Sequence, residues 1–466
     1  MLDISGEIWY TFSVHLFLEM AHENEKSEGN AMRINIDENQ KLGKIKDMNA
    51  TGQAPMGGEF GFGAYRSFRL LSDVAVPYVR LHDVGGTYGG NRYVDVPNIF
   101  RDFDADENDP RNYDFTFTDL YIGELVKNGL KPYYRLGVTI ENHAEVKSYR
   151  IDPPKDYEKW ARICEHIVAH YNEGWAEGFH YGIEYWEIWN EPDDGLRISQ
   201  MWNGTAEDYY RLYDVTAKHL KARFPKIKVG GYAAIGFYYV TDTPEERDKE
   251  PRMKYYYDFF HGFMQYIKAH GSPLDFFSFH SYREPKRLIE ESKWVREQLI
   301  KYGYGHVESH LNEWNPPSRD TRDVSARHGA EIAAIMLGCQ NVGVDMLMLY
   351  DAGIDSGSYS AFYIPSVKGG CLSHGYYAFA AFSVLYRFGT QIGLSCDTDG
   401  VYAVAATDGK KKAVMIANVS GKDQSLEIDG VDLTGARWSL IDDRHLLSWS
   451  PALDTIKNNN VVLIEF

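Results

Sequence analysis

The chain reads as an α/β protein, a (β/α)8 barrel with an accessory C-terminal β-sandwich domain. Three observations predict this. Between residues 47 and 388, short apolar runs alternate eight times with stretches of helical period, the pattern of a parallel sheet covered by helices. After about residue 389 the texture changes to short strands of period two, split by turn pairs such as Asp408-Gly409 and Asp429-Gly430. A length of 466 residues suits a barrel of roughly 250 to 400 residues plus a small β module.

The barrel strands are expected at 47–51, 78–83, 131–139, 184–190, 228–234, 276–282, 308–314 and 345–351. Helices are expected between them near 59–74, 116–129, 156–173, 205–224, 253–270, 284–302, 323–341 and 371–388. Local chemistry supports several of these ends. Thr118 and Asp119 open the second helix, Pro153-Pro154 precedes the third, and Thr205 with Asp208 forms a capping box for the fourth. Gly129, Gly271 and Gly303 sit where helices stop. In the tail, strands fall near 400–406, 412–418, 424–428, 437–441 and 461–466, too few to close a sandwich neatly. The alternating segment Met32-Arg33-Ile34-Asn35-Ile36 is therefore expected to add a strand. The domains then run 1–46 (an N-terminal segment contributing that strand), 47–388 (the barrel) and 389–466 (the sandwich).

Composition narrows the function. Hydrophobic residues make up 44% and charged residues 25%, enough for a large core. The net charge of −18 argues against nucleic-acid binding, which needs clustered Lys and Arg, and weighs slightly against a polyanionic substrate. Aromatic content is 14%, with 34 Tyr and 10 Trp. Such rings can stack on sugar C–H faces as well as fill a core. Cys164, Cys339, Cys371 and Cys396 are widely spaced, with no zinc spacing, and read as buried free thiols. No run of about 18 apolar residues is present to cross a membrane. No basic region followed by an apolar stretch marks a secretory signal. The chain reads either as cytoplasmic, or as secreted or periplasmic with its signal already removed. No phosphate loop, HExxH, GxSxG or dinucleotide fingerprint occurs, so no cofactor and no metal are expected; the oligomeric state is left open.

Two carboxylates carry most of the remaining information. Glu191 closes the run Tyr185-Trp186-Glu187-Ile188-Trp189-Asn190-Glu191-Pro192, and Glu313 closes His310-Leu311-Asn312-Glu313. They fall at the C-terminal ends of strands four and seven, the rim where barrel active sites sit. Two acids facing each other over a barrel mouth, one able to donate a proton and one able to attack, are the minimum equipment for cleaving a glycosidic bond. His280 and Tyr282 end strand six at alternate positions and share the inward face with Ser278. Arg80 and His82 alternate likewise at the end of strand two, before Asp83. Arg80 is placed either beside Glu313 or in a pair with Glu187. Glu141, with Asn142 and His143, closes strand three, and Tyr350 with Asp351 closes strand eight, all as candidate substrate-binding positions. Trp189 and Trp314 flank the two acids as a sugar platform or as pocket wall.

With these residues in place, the chain resembles the clan of retaining glycoside hydrolases with catalytic glutamates on strands four and seven. Ile188-Trp189-Asn190-Glu191-Pro192-Asp193 is similar to the acid/base motif of glycoside hydrolase family 39, which includes β-xylosidases and α-L-iduronidases. The resemblance implies that Glu191 is the acid/base and Glu313 the nucleophile. It further implies that Asn190 bonds the sugar 2-hydroxyl and that His280 and Tyr282 stand beside the nucleophile. The expected activity is a retaining, β-xylosidase-like exo-glycosidase acting on a plant- or microbe-derived oligo- or polysaccharide. The alternatives are arabinosides, galactosides or uronides as substrates, or a carbohydrate-binding barrel without turnover.

Overall fold

The computed structural model of the protein describes residues 32–53, 67–82, 94–139, 151–195, 201–241, 243–321, 325–353, 361–364 and 371–466. Eight parallel strands close a barrel: Asp47–Gly52, Tyr78–Leu81, Lys131–Leu136, Tyr185–Ile188, Lys228–Ala234, Phe276–Ser281, Glu308–Trp314 and Met346–Leu349. Helices Ser67–Asp73, Thr116–Lys127, Tyr157–Asn172, Ala206–Arg223, Pro251–His270, Pro285–Tyr302, Arg327–Cys339 and His374–Phe388 follow them in turn.

The capping box of Thr205 and Asp208 opens its helix, and Gly271 and Gly303 end theirs in the left-handed conformation that only glycine adopts without strain. The second helix begins earlier than Thr118, at Thr116. Asp119 is freed from capping and accepts hydrogen bonds from His170 and Tyr171 at 2.9 Å each. The third helix is capped by Asp156, whose carboxylate accepts the Lys159 N–H.

The barrel interior is built in layers, and it is more polar than its strands suggest. Tyr78, Tyr133, Tyr185, Phe276 and Met346 form an apolar floor from five different strands. Gly230 makes room for it, since a Cβ there would lie 2.1 Å from the Phe276 carbonyl oxygen. Above the floor, Arg80, Glu187, Ser278 and Asn312 form a buried hydrogen-bonded layer. The next layer up is the rim.

The second part is one hydrogen-bonded series of nine strands. In order these are Leu446–Ser450, Arg437–Ile441, Asn460–Glu465, Lys412–Asn418, Val401–Thr407, Thr390–Cys396, Met32–Lys44, Gln424–Asp429 and Thr455–Ile456. Met32–Lys44 runs antiparallel to Thr390–Cys396 and parallel to Gln424–Asp429. The series curls over its own core, because Leu426 and Ile456 from one end share a cluster with Trp438 and Leu440 from the other. The central strands Lys412–Asn418 and Asn460–Glu465 are buried on both faces for a physical reason. In Lys412–Asn418, Val414 and Ile416 enter this core, while Ala413, Met415 and Ala417 join the barrel's main cluster with helices Arg327–Cys339 and His374–Phe388.

All four cysteines are free. Cys164 and Cys339 are buried as expected, but Cys371 is exposed and Cys396 half-buried, because each sits at a strand end rather than inside a helix. Among the described residues no helix is long and apolar enough to cross a membrane.

Candidate active site

Both glutamates reach the barrel mouth through departures from regular strand geometry. Strict alternation along Glu308–Trp314 sends Glu308, His310 and Asn312 inward, and Asn312 donates to Glu187 at 2.6 Å. The register then slips by one residue, from Phe279 opposite Leu311 to His280 opposite Glu313. This extra residue turns Glu313 inward as well, the kind of re-aiming a bulge performs. On strand four, Trp189 (φ 76°) and Glu191 (φ 46°) both take the left-handed conformation. Each costs about 1 kcal/mol or more for a residue with a side chain. Burial of the Trp189 ring, its indole bond to the Met201 carbonyl at 2.7 Å and the Glu191 N–H bond to the Ala233 carbonyl at 3.0 Å offset that cost.

A cavity of about 420 Å³ opens between the strand ends. His82, Asn190, Glu191, Tyr282, Glu313 and Tyr350 line it, six of the positions singled out in the sequence. Arg80 and His280 lie just beneath and are fully buried.

Arg80 is the hub of the site. Its Nε donates to Glu187 at 2.8 Å, one terminal nitrogen to Glu313 at 3.1 Å and the other to Asn190 at 2.5 Å. The two placements considered for it are therefore both realised. Glu187 is held in turn by the Ser278 hydroxyl and the Asn312 amide, each at 2.6 Å. Arg80→Met is expected to destabilise the protein by about 3–5 kcal/mol, because it leaves Glu187 as a buried charge without a cation. Urea unfolding followed by tryptophan fluorescence measures this.

Glu313 accepts from the Tyr282 hydroxyl at 2.5 Å and from Arg80, so both of its oxygens are bonded. Burial lifts its pKa above the ordinary carboxylate value, with Glu191 adding to the rise and His280, Arg80 and Tyr282 opposing it. Glu191 has weaker support. Burial, reinforced by Asp194, pushes it up to about 8. Burial also lowers His280 to about 4, so its imidazole is neutral. His280 Nδ1 lies 2.7 Å from Glu191, and Nε2 lies 3.7 Å from Glu313. A neutral imidazole carries one N–H, so it can accept a proton bond from Glu191 on one side while turning N–H toward Glu313 on the other.

Behind the rim, His82 Nδ1 accepts from Arg135 Nε at 3.2 Å, and Asp95 holds Arg135 at 2.6 Å. Burial, with the nearby charges of Arg135 and Arg80, keeps His82 neutral, and because its Nδ1 accepts from Arg135, its hydrogen sits on Nε2. Asp193, next to the acid loop, is buried and accepts the Ile235 N–H at 3.1 Å, tying that loop to strand five.

Two expected binding positions lie elsewhere. Trp314 follows the register slip and so points away from the cavity, fully buried against the helices. Asp351 does not line the cavity; its carboxylate accepts the Gly353 N–H at 2.9 Å, a turn role. Trp189 is likewise buried wall, packed on Trp160 and Trp202. Glu141, Asn142, His143 and Asp83 lie outside the described residues. Sequence reasoning missed Arg135, Asp95 and the wall formed by Met201, Ile235, Tyr238, Arg252, Met253 and Tyr256.

The family model for glycosyl hydrolases family 39 matches residues 33–313, from the first strand of the β series to Glu313. The chain belongs to this family. A curated β-xylosidase of Geobacillus stearothermophilus is 25% identical over 314 residues, 60% of this chain and 52% of that protein. A β-xylosidase of Caldicellulosiruptor saccharolyticus is 28% identical over 181 residues, 37% of this chain and 31% of that protein. The chain thus spans about half or less of the length of the curated relatives it matches. Among solved structures, a glucosidase from Croceicoccus marinus superposes with a TM-score of 0.71 at 19% identity, covering 93% of this chain and 98% of that one. A family 39 β-xylosidase from Caulobacter crescentus gives 0.64 at 19%, covering 93% and 99%. Family 39 structures therefore share this chain's barrel and appended β domain.

Proposed function

We propose that the protein is a retaining glycoside hydrolase, with Glu313 as nucleophile, Glu191 as acid/base and a β-xyloside as its substrate. The observation that carries this is a distance. One carboxylate oxygen of each glutamate falls within 4.8 Å of the other. Retention calls for carboxyl groups about 5 to 5.5 Å apart, whereas inversion needs about 6.5 to 9.5 Å to admit a water. The names of the Geobacillus and Caldicellulosiruptor relatives support the sugar class.

In this reading Glu313 attacks the anomeric carbon while Glu191 gives its proton to the departing oxygen. Arg80 and Tyr282 hold Glu313 in line, and Asn190 bonds the sugar 2-hydroxyl. Once Glu313 has become a neutral ester, its charge no longer holds the Glu191 proton. Glu191 then deprotonates the water that releases the sugar.

A panel of aryl xylosides, arabinosides, galactosides, glucosides and uronides tests the activity, and NMR of the first-formed product tests its anomeric configuration. An inverted product overturns the mechanism. Binding without turnover of any member leaves a carbohydrate-binding barrel.

The pH profile follows from the same groups. Glu191 must be protonated for the first step, so kcat/KM is expected to fall as pH rises through about 8. It is expected to fall again on the acid side as Glu313 takes up a proton, at a pH above the ordinary carboxylate range. The two limbs belong to the coupled pair. With an activated aryl leaving group, Glu191→Gln is expected to lose the alkaline limb only.

A further inference from the structure

The cavity has two chemically different halves. The half nearest Glu313 presents Tyr282, His82, Asn190 and Tyr350, all able to bond sugar hydroxyls. The half beside Glu191 is built from Met201, Ile235, Tyr238, Arg252, Met253 and Tyr256, on the loop after strand four and the crossover after strand five. Arg252, Met253 and Tyr256 come from the first turns of helix Pro251–His270, where spacings of three and four put them on one face.

This second wall mixes three aliphatic or thioether side chains with two tyrosines and one arginine, and its polar groups and rings are held. Two thioethers and an isoleucine face the cavity, where a second sugar ring would need partners for several hydroxyls. Arg252, the one cation among the described residues of this wall, is bonded to Asp194 at 2.5 Å and lies over the Tyr256 ring at 5.5 Å. Arg283 lies over the Tyr238 ring at 4.9 Å, and Tyr256 is almost fully buried. The aromatic planes would take a sugar face as readily as a flat apolar group, but the two thioethers and the isoleucine beside them have no donor or acceptor suited to a sugar's hydroxyls, and so favour the apolar group.

An acid/base protonates the oxygen of the departing group, so that group occupies the half beside Glu191. We infer that this leaving-group subsite is built for an aryl or arylalkyl aglycone in preference to a second sugar, an inference that rests on the roles proposed above for Glu191 and Glu313.

The test compares kcat/KM for three substrates with one glycone, the one the panel selects: the methyl glycoside, the benzyl glycoside and the homodisaccharide. Methanol and benzyl alcohol have nearly equal acidity, so their difference reports binding rather than leaving-group chemistry. A sugar hydroxyl is the better leaving group, which biases the comparison against the inference. The benzyl glycoside is expected to exceed the methyl glycoside by about tenfold or more, since one buried methylene alone can be worth tenfold or more. It is also expected to exceed the disaccharide. Met253→Ser should shrink the benzyl-to-methyl ratio several-fold. A disaccharide preferred over the benzyl glycoside, or a ratio that Met253→Ser leaves unchanged, overturns the inference. If Met253→Ser does not fold, Ile235→Ser takes its place, and the wild-type ratios decide without either variant. Turnover with the disaccharide preferred leaves the glycosidase reading standing and sinks only this one. No turnover of any of the three, or of the panel, removes both.

Discussion

Glu313→Ala is expected to lower kcat on aryl glycosides by about 10⁴-fold or more while leaving the fold intact. The attacking oxygen is lost and nothing beside it can substitute. Arg80, 3.1 Å from Glu313, is no nucleophile, and Tyr282, whose hydroxyl burial holds protonated, loses with Glu313 the carboxylate that could take its proton. His280 is neutral, but its Nε2 is fully buried beneath the rim. A fall of that size corresponds to roughly 5 kcal/mol or more of lost transition-state stabilisation. Stability should not suffer, because burial already disfavours the ionised Glu313, and removing an unfavourable buried charge is not destabilising in itself. The measurements are single-turnover kinetics and a thermal melt against wild type. Activity within about tenfold of wild type would assign the attack to another group.

The barrel was readable because eight segments each carried a consistent local signal. Period-two and period-3.6 patterns, the Thr205 capping box and the left-handed glycines at 271 and 303 all agree with the strands and helices observed. The rim was readable in residue type but not in direction. Glu313 enters the cavity only because the register slips between Phe279 and His280, and the same slip sends Trp314 outward. Alternation, the rule that correctly paired Ser278, His280 and Tyr282, fails at that residue, and no local signal announces a bulge. Glu191 likewise depends on two left-handed residues that carry side chains, which sequence patterns do not flag.

The polar layer under the rim was only partly legible. Glu187 and Glu313 could each be named as a partner for Arg80, but that Arg80 reaches both at once, and Asn190 as well, depends on three strands meeting at one height. Arg135 and Asp95 lie 40 residues apart and on different elements, so only the closed barrel joins them to His82. The wall beside Glu191 was missed for a different reason. Met, Ile and Tyr are ordinary core residues, and the crossover after strand five reads as packing until its place over the cavity is known.

Glu191→Ala separates the two glutamates by role. Substrates with poor leaving groups should lose about 10³-fold or more in kcat/KM, because their departing oxygen needs the proton that Glu191 supplies, a contribution of 10²–10⁴ for general acid catalysis. Activated aryl glycosides need no such proton, so the first step survives and the glycosyl-enzyme on Glu313 accumulates as a burst of phenol. Its hydrolysis is then slow, since no base remains to deprotonate water. Azide carries its own negative charge and needs no base. It is also small enough for the space vacated in a cavity of about 420 Å³, so it should restore turnover and yield the glycosyl azide with retained configuration. Glu313→Ala should show neither burst nor retained azide product, because no covalent intermediate forms, and any azide adduct would carry the opposite configuration. The alkaline limb near pH 8 should vanish from Glu191→Ala with it, since that limb is the loss of the Glu191 proton. Kinetics on both variants, with one good and one poor leaving group and with or without azide, decide the assignment. A retained azide product from Glu313→Ala, or no rescue of Glu191→Ala on an activated substrate it still binds, exchanges the two roles or removes them.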